Sequence, residues 1–326
     1  MYQFSNIYGN ALLVHHLQHA IQQKRISHAY LLLGDDGSGK KLLAHTFAQT
    51  LFCEQGGAEP CGICKSCHAY DAGAHPDLIL VRPEKKSLGV EEIRTKIIDD
   101  VAIKPYRYPY KIYIIEQADT MTPAAQNALL KTLEEPPSYA VFLLLAKQQA
   151  AFLETVLSRC ISLHLHPLPA QIVASYLQEK KSLSSEQAAS YAAYAQGSIG
   201  QALTLLEDEA FLQMRQDVLA KLQRIQNTSL AEVLLWAKEW EIYQNDFRFL
   251  DVIALWYRDL LFAKRLHDDT LLIQQDLQAA LYAHATEDAA VLAHKAIAVQ
   301  QARTQLTQNA NFRLTIEVLL MELKGE

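Results

Sequence analysis

The chain has 326 residues, 50% of them hydrophobic and 20% charged, with 36 acidic against 30 basic side chains and a formal net charge of -6. This is the composition of a folded protein of more than one domain, and it excludes disordered, collagen-like and coiled-coil chains. The mild acidity disfavours a protein that coats nucleic acid by bulk charge. No apolar run reaches the ~18–20 residues that cross a bilayer. Residues Met1 to Gly9 lack the basic-then-apolar pattern of a signal peptide, so the cytoplasm is the expected location.

Leu13, Leu17, Ala20 and Ile21 share one face of a helix expected over 10–23. Tyr30-Leu31-Leu32-Leu33 is an unbroken apolar run ending at Gly34, as expected of a strand buried on both faces of a parallel sheet. Leu43, Phe47 and Leu51 then mark a second helix. Further strands are expected at Leu78–Val81, Ile112–Ile115 and Val141–Leu145, with a weaker, alternating one at Ile161–Leu165. Helical segments lie between them, near Val90–Val101 and Pro123–Glu135. The latter has Thr122 as N-cap, Pro123 in the first turn, and Pro136-Pro137 to forbid continuation. Alternating strands and helices predict an α/β domain over 1–166 with a parallel sheet.

Past His166-Pro167-Leu168-Pro169 the pattern becomes wholly helical. Residues 167–206 read as a small helical domain with a turn at Gly197-Ser198-Ile199-Gly200, and 207–326 as a larger one that ends in a helix carrying Phe312, Ile316, Leu319, Leu320 and Leu323 on one side. Trp236, Trp240 and Trp256 are expected in its core. Residues 1–206 carry 18 acidic and 18 basic side chains and residues 207–326 carry 18 and 12, so the negative balance belongs to the last region.

Three motifs carry chemistry. Gly34-Asp35-Asp36-Gly37-Ser38-Gly39-Lys40-Lys41 has the GxxxxGK spacing of a phosphate loop between a strand and a helix. Glycines there let backbone N–H groups converge, and the helix N-terminus favours an anion. The next position calls for a Mg²⁺-binding hydroxyl, but Lys41 is a cation. Glu116-Gln117 ends the third strand, where an ATPase carries Asp-Glu; Gln117 cannot accept a proton from water. ATP or ADP binding therefore stays open at this degenerate loop, as does a ligand-free glycine turn. Cys53, Cys61, Cys64 and Cys67 supply four soft ligands within about 53–67, the pattern of a closed, structural zinc site. Glu54, Glu59 and Asp71 stand beside it against Lys65 alone, which reads as a stabilising knob or protein contact. His164 and His166 are explained by strand alternation.

His28-Ala29-Tyr30, the four-cysteine insert, Asn127–Pro137 and Ser158-Arg159-Cys160 occur together in this order, and the combination resembles the bacterial clamp-loader branch of the AAA+ ATPases. The resemblance covers about residues 1–206. It implies an AAA+ P-loop domain with a four-cysteine zinc insert, a helical lid domain over 167–206 and an all-helical collar domain over 207–326. It is closer to a non-motor subunit of the DNA polymerase III holoenzyme than to the gamma/tau motor. Motor subunits carry Ser/Thr after the loop lysine, Asp-Glu, a polar sensor and a lid arginine where this chain has Lys41, Glu116-Gln117, Ala146-Lys147 and Gly200. Ser158-Arg159-Cys160 is intact, and the resemblance implies that Arg159, with Ser158 beside it, acts in trans on a neighbouring subunit's ATP. The implied partners are gamma/tau and delta subunits in a pentameric ring, and, through that complex, the sliding clamp and primed DNA. The same resemblance puts Lys131 within approach of a DNA phosphate. Two other readings stay open: an active ATPase of the gamma/tau type, and a zinc-dependent nucleic-acid-binding module.

Overall fold

The computed structural model describes residues 2–266 and 271–325. They fall into two compact units, one running through Leu168 and including Ser198–Gly200, the other comprising Pro169–Gly197 and Gln201 onward. Among the described residues, no helix is long and apolar enough to cross a membrane.

The first unit is built on five parallel strands, β1 (Ala29–Leu33), β2 (Leu78–Val81), β3 (Lys111–Ile115), β4 (Ala140–Ala146) and β5 (Ile161–His164), in the spatial order β2-β3-β4-β1-β5. Every residue of β1, β3 and β4 is buried, which is why these strands read as continuous apolar runs. On one face Leu31, Leu33, Ile115, Phe142 and Leu144 pack with Leu129 and Leu133 of the helix Pro123–Glu134. On the other, Tyr30, Leu32, Ile114, Leu143 and Leu145 pack with Leu17 of the helix Ala11–Gln22 and Leu43 and Phe47 of the helix Lys40–Phe52. Each such side chain contributes about 1.5–3 kcal/mol by burial. β5 is an edge strand and largely exposed, which accounts for its weaker pattern. The helical segment after β2 runs from Val90–Ile93 through a π-helical Arg94–Ile98 into Asp99–Val101.

The second unit is helical throughout its described residues. Helices Ala170–Lys181 and Ser185–Tyr194 precede longer ones at Glu209–Arg224, Leu230–Glu239, Arg248–Leu266, Ala289–Thr307 and Phe312–Lys324. Trp236, Trp240 and Trp256 are each no more than 2% exposed and sit in the core. Ile316, Leu319, Leu320 and Leu323 are buried, whereas Leu314 and Val318 face outward. The turn expected at Gly197–Gly200 is shorter: Gly197, with φ of 85°, reverses the chain, and the helix Ile199–Glu207 begins before Gly200.

Candidate functional site: a phosphate loop, a half-buried arginine and a cysteine cluster

The phosphate loop leaves the carboxyl end of β1, and Glu116 and Lys147 follow the ends of β3 and β4, so one crevice at the strand ends collects all three. Gly37 and Gly39 have φ of 71° and 96°, conformations that a side chain would strain. Together with Gly34 they bend the loop over a cavity of about 260 Å³ whose wall includes Lys40, Lys41, Glu116, Gln117 and Lys147. Lys40 Nζ donates to the carbonyls of Gly34 and Asp35 at 2.5 and 2.7 Å. Burial lowers the pKa of its ammonium group, an effect opposed by Asp36, Asp119 and Asp35. Ser38 Oγ is buried without a hydrogen-bond partner among the described residues.

The metal-binding half of this crevice is occupied by the chain's own cations. Lys41 Nζ lies 3.0 Å from Glu116 Oε1, and Arg82 Nε lies 2.9 Å from the same oxygen. A magnesium ion needs oxygen ligands, and here Lys41 stands in place of a hydroxyl while the Glu116 carboxylate is already paired with two cations. These residues do not fit Mg²⁺. Gln117 adopts a left-handed conformation with φ of 51°, and its amide cannot itself act as a base for water. Lys147 Nζ pairs with Asp36 Oδ2 at 2.5 Å, and Lys147 N–H donates to Asp119 Oδ2 at 3.2 Å. Gly200 N–H donates to Gly37 O at 3.1 Å, and Ser198 Oγ donates to Asp36 O at 3.0 Å. A Cβ on Gly200 would lie 2.6 Å from Gly37 Cα, so any side chain here, an arginine included, would force the loop backbone to shift.

Beneath the loop helix His45 is buried, with Nδ1 2.7 Å from Tyr70 Oη and its ring stacked on Tyr2 at 5.0 Å. Burial is the first cause that brings its pKa down to about 4; Lys41 and Arg82 push the same way and Glu116 opposes them.

Arg159 does not line this cavity. It follows the short helix Glu154–Leu157, and Nη1 donates to Thr155 O at 2.7 Å and Ser158 Oγ at 3.0 Å. Nη2 lies 2.8 Å from Glu134 Oε1, with 32% of the arginine side chain exposed. Gln126 fixes this corner: its Nε2 donates to Met121 O and Ala151 O, and its Oε1 accepts the Leu153 N–H. Cys160 packs partly buried against the core, and burial alone pushes its thiol up to about 12, so it is inert filling and no nucleophile. Lys131 lies in the last turn of Pro123–Glu134 and is exposed.

Cys53, Cys61, Cys64 and Cys67 converge, all four sulfurs within 4.8 Å of one another and Cys61 Sγ 4.0 Å from Cys67 Sγ. Tetrahedral zinc with bonds of ~2.3 Å spaces its sulfurs ~3.8 Å apart, so the cluster fits that ion. Backbone N–H groups of Cys61, Cys64 and Cys67 donate to the sulfurs of Cys53, Cys61 and Cys64, each at 3.4 Å, which stabilises thiolates. The N–H of Ile63, with that of Cys64, holds the Cys61 thiol down at about 7. Two of the neighbouring acids are engaged within the chain: half-buried Glu59 accepts the Phe4 N–H at 2.8 Å, and exposed Asp71 accepts from Gln49 Nε2 at 3.0 Å. His164 and His166 are exposed and join no metal-ligand group among the described residues.

Arg82 lies outside the motifs, and Glu134, though within Asn127–Pro137, is given no role by them. Arg82 carries a local signal, a cation directly after the apolar strand Leu78–Val81; Glu134 has none of its own, being one of two adjacent acids at its helix end.

A family model described as "DNA polymerase III, delta subunit" matches residues 9–169. The "DNA polymerase III subunit delta'" of Bacillus subtilis (strain 168) is 31% identical over 314 residues, 94% of each chain. That of Pseudomonas aeruginosa is 31% identical over 304 residues, 91% of each chain. The "DNA polymerase III subunit tau" of Bacillus subtilis is 34% identical over 211 residues, which are 63% of this chain and 37% of the relative. The α/β unit with its phosphate loop is of the AAA+ type, and the chain belongs to the family of the DNA polymerase III delta' subunits.

Proposed function

We propose that the chain is a stator-like, non-hydrolysing subunit of the DNA polymerase III clamp loader. In this reading it completes a pentameric ring with gamma/tau and delta subunits in the cytoplasm and supports ATP-dependent loading of the sliding clamp onto primed DNA. Residues 167–206 serve as its lid and 207–326 as its collar, where outward-facing Leu314 and Val318 suit a subunit contact. The four cysteines hold a structural zinc ion. The observation that carries the reading is the ion-paired crevice: Glu116 is engaged by Lys41 and Arg82, where a hydrolysing subunit needs a free carboxylate and a metal.

Arg159 donates its guanidinium in trans to ATP held by an adjacent gamma/tau subunit. Its anchoring through Nη1 supports this role, because a preorganised guanidinium stabilises transferring phosphate without reorganising. Gly37, Gly39 and Lys40 keep a phosphate cradle, so nucleotide binding without turnover is compatible with the same geometry.

The test is reconstitution with gamma/tau and delta subunits. Arg159→Ala is expected to leave the isolated fold and ring assembly intact and to lower clamp-stimulated ATPase at least tenfold at the site it serves, since arginine fingers supply ~10³–10⁵ in related phosphoryl transfers. Unchanged ATPase of the assembled ring removes the trans role, and ATP turnover by the purified chain alone removes the stator assignment.

A further inference from the structure

We infer that Glu134 is a positioning residue that occupies the phosphate-binding edge of Arg159 until a neighbouring subunit's phosphate displaces it; this rests on the trans role proposed for Arg159. A guanidinium has five N–H groups. Two of those on Arg159 go to Thr155 O and Ser158 Oγ, both through Nη1, which ties the group to its own short helix. Glu134 meets the opposite nitrogen, Nη2, at 2.8 Å. Nη1 therefore fixes the orientation of the group, and the edge left for a phosphate oxygen is the one the carboxylate already touches. Glu134 is thus a stand-in anion.

Two further facts define its character. Glu134 closes the helix Pro123–Glu134, where the negative end of the helix dipole disfavours a carboxylate; Arg159 supplies the compensating charge. The carboxylate side chain is 48% exposed, so the pair is a weak one that a multiply charged phosphate outcompetes. The contact shields the arginine from stray anions while the subunit is alone, and it must break each time the arginine engages ATP.

The test uses the reconstituted loader with five versions of this chain: wild type, Glu134→Gln, Glu134→Ala, Arg159→Ala and the double variant Glu134→Gln with Arg159→Ala. Glu134→Gln keeps the shape and removes the charge. It is expected to lower KM for ATP at the served site about two- to fivefold, the range a surface ion pair can impose, with kcat unchanged. The same substitution is expected to change nothing once Arg159 is alanine, which separates competition at the guanidinium from a general effect on the helix. A Glu134→Gln loader with wild-type KM, or one impaired as Arg159→Ala is, overturns the stand-in role while the fall caused by Arg159→Ala upholds the trans arginine. If Arg159→Ala is itself silent, the trans role fails and this inference with it. Glu134→Ala serves as the second variant, and a wild-type melting temperature shows that either substitution is read on a folded chain.

Discussion

Lys41 Nζ lies 3.0 Å from Glu116 Oε1, which joins the residue after the loop lysine to the residue after β3. Each is a departure from a hydrolytic site, and together they are complementary. The ammonium supplies one of the positive charges that a metal ion would bring to this corner, and Arg82 supplies another. Restoring the hydroxyl alone, by Lys41→Thr, removes the cation and adds an oxygen ligand. The expected outcome is Mg²⁺-dependent ADP affinity that exceeds wild type by at least tenfold, about 1.4 kcal/mol. On the proposed non-hydrolysing reading, turnover is expected to stay absent because Gln117 and Gly200 are unchanged. Calorimetric titrations with Mg²⁺ and with EDTA check it; equal affinity in the two conditions would refute the substitution of cation for metal.

His45 makes the first unit sensitive to mild acid. Its folded pKa of about 4 lies below the usual 6.5, so the unfolded chain binds the proton more readily. The contribution to stability is therefore present above about pH 6.5 and is lost as pH falls from there towards 4. Between pH 7 and pH 5 the loss is about 2 kcal/mol. Urea unfolding at the two pH values is expected to show this for the wild type and to show a correspondingly smaller change for His45→Gln, whose side chain does not titrate.

The cysteine cluster predicts one zinc ion per purified chain. Cys64→Ser removes a ligand, and the N–H of Cys67 loses its sulfur acceptor. Loss of a metal bound at a thousandfold excess over its Kd lowers stability by about 4 kcal/mol. Metal analysis together with thermal melts, before and after chelation, checks both statements. A metal-free wild type with an unaltered melt would leave four plain thiols.

The buried strands are legible because a parallel sheet covered on both faces demands the apolar runs seen at Tyr30–Leu33, Ile112–Ile115 and Val141–Leu145. The cysteine cluster is legible because its ligands are close in sequence and bring their own turn. The loop and Glu116 are legible as motifs, but their ion pair is not: it depends on the order of the strands, with β2 placing Arg82 beside the end of β3. Glu134 is hidden for the same reason, since only the packing of its helix against the Ser158–Arg159 corner distinguishes it from Glu135. The start of the helix after Gly197 escapes the sequence because Gly200, a residue that punctuates turns, serves here for close approach instead.

That close approach also ties position 200 to the loop. With Gly200 and Gly37 meeting backbone to backbone, a mutation that places a side chain at position 200 meets an overlap with the loop backbone. Overpacking of this kind costs about 1–3 kcal/mol or more. A side chain at position 200 thus requires the loop backbone to retreat first. The two positions are therefore coupled, and a substitution at Gly200 is accommodated only together with a shift of the phosphate loop at Gly37.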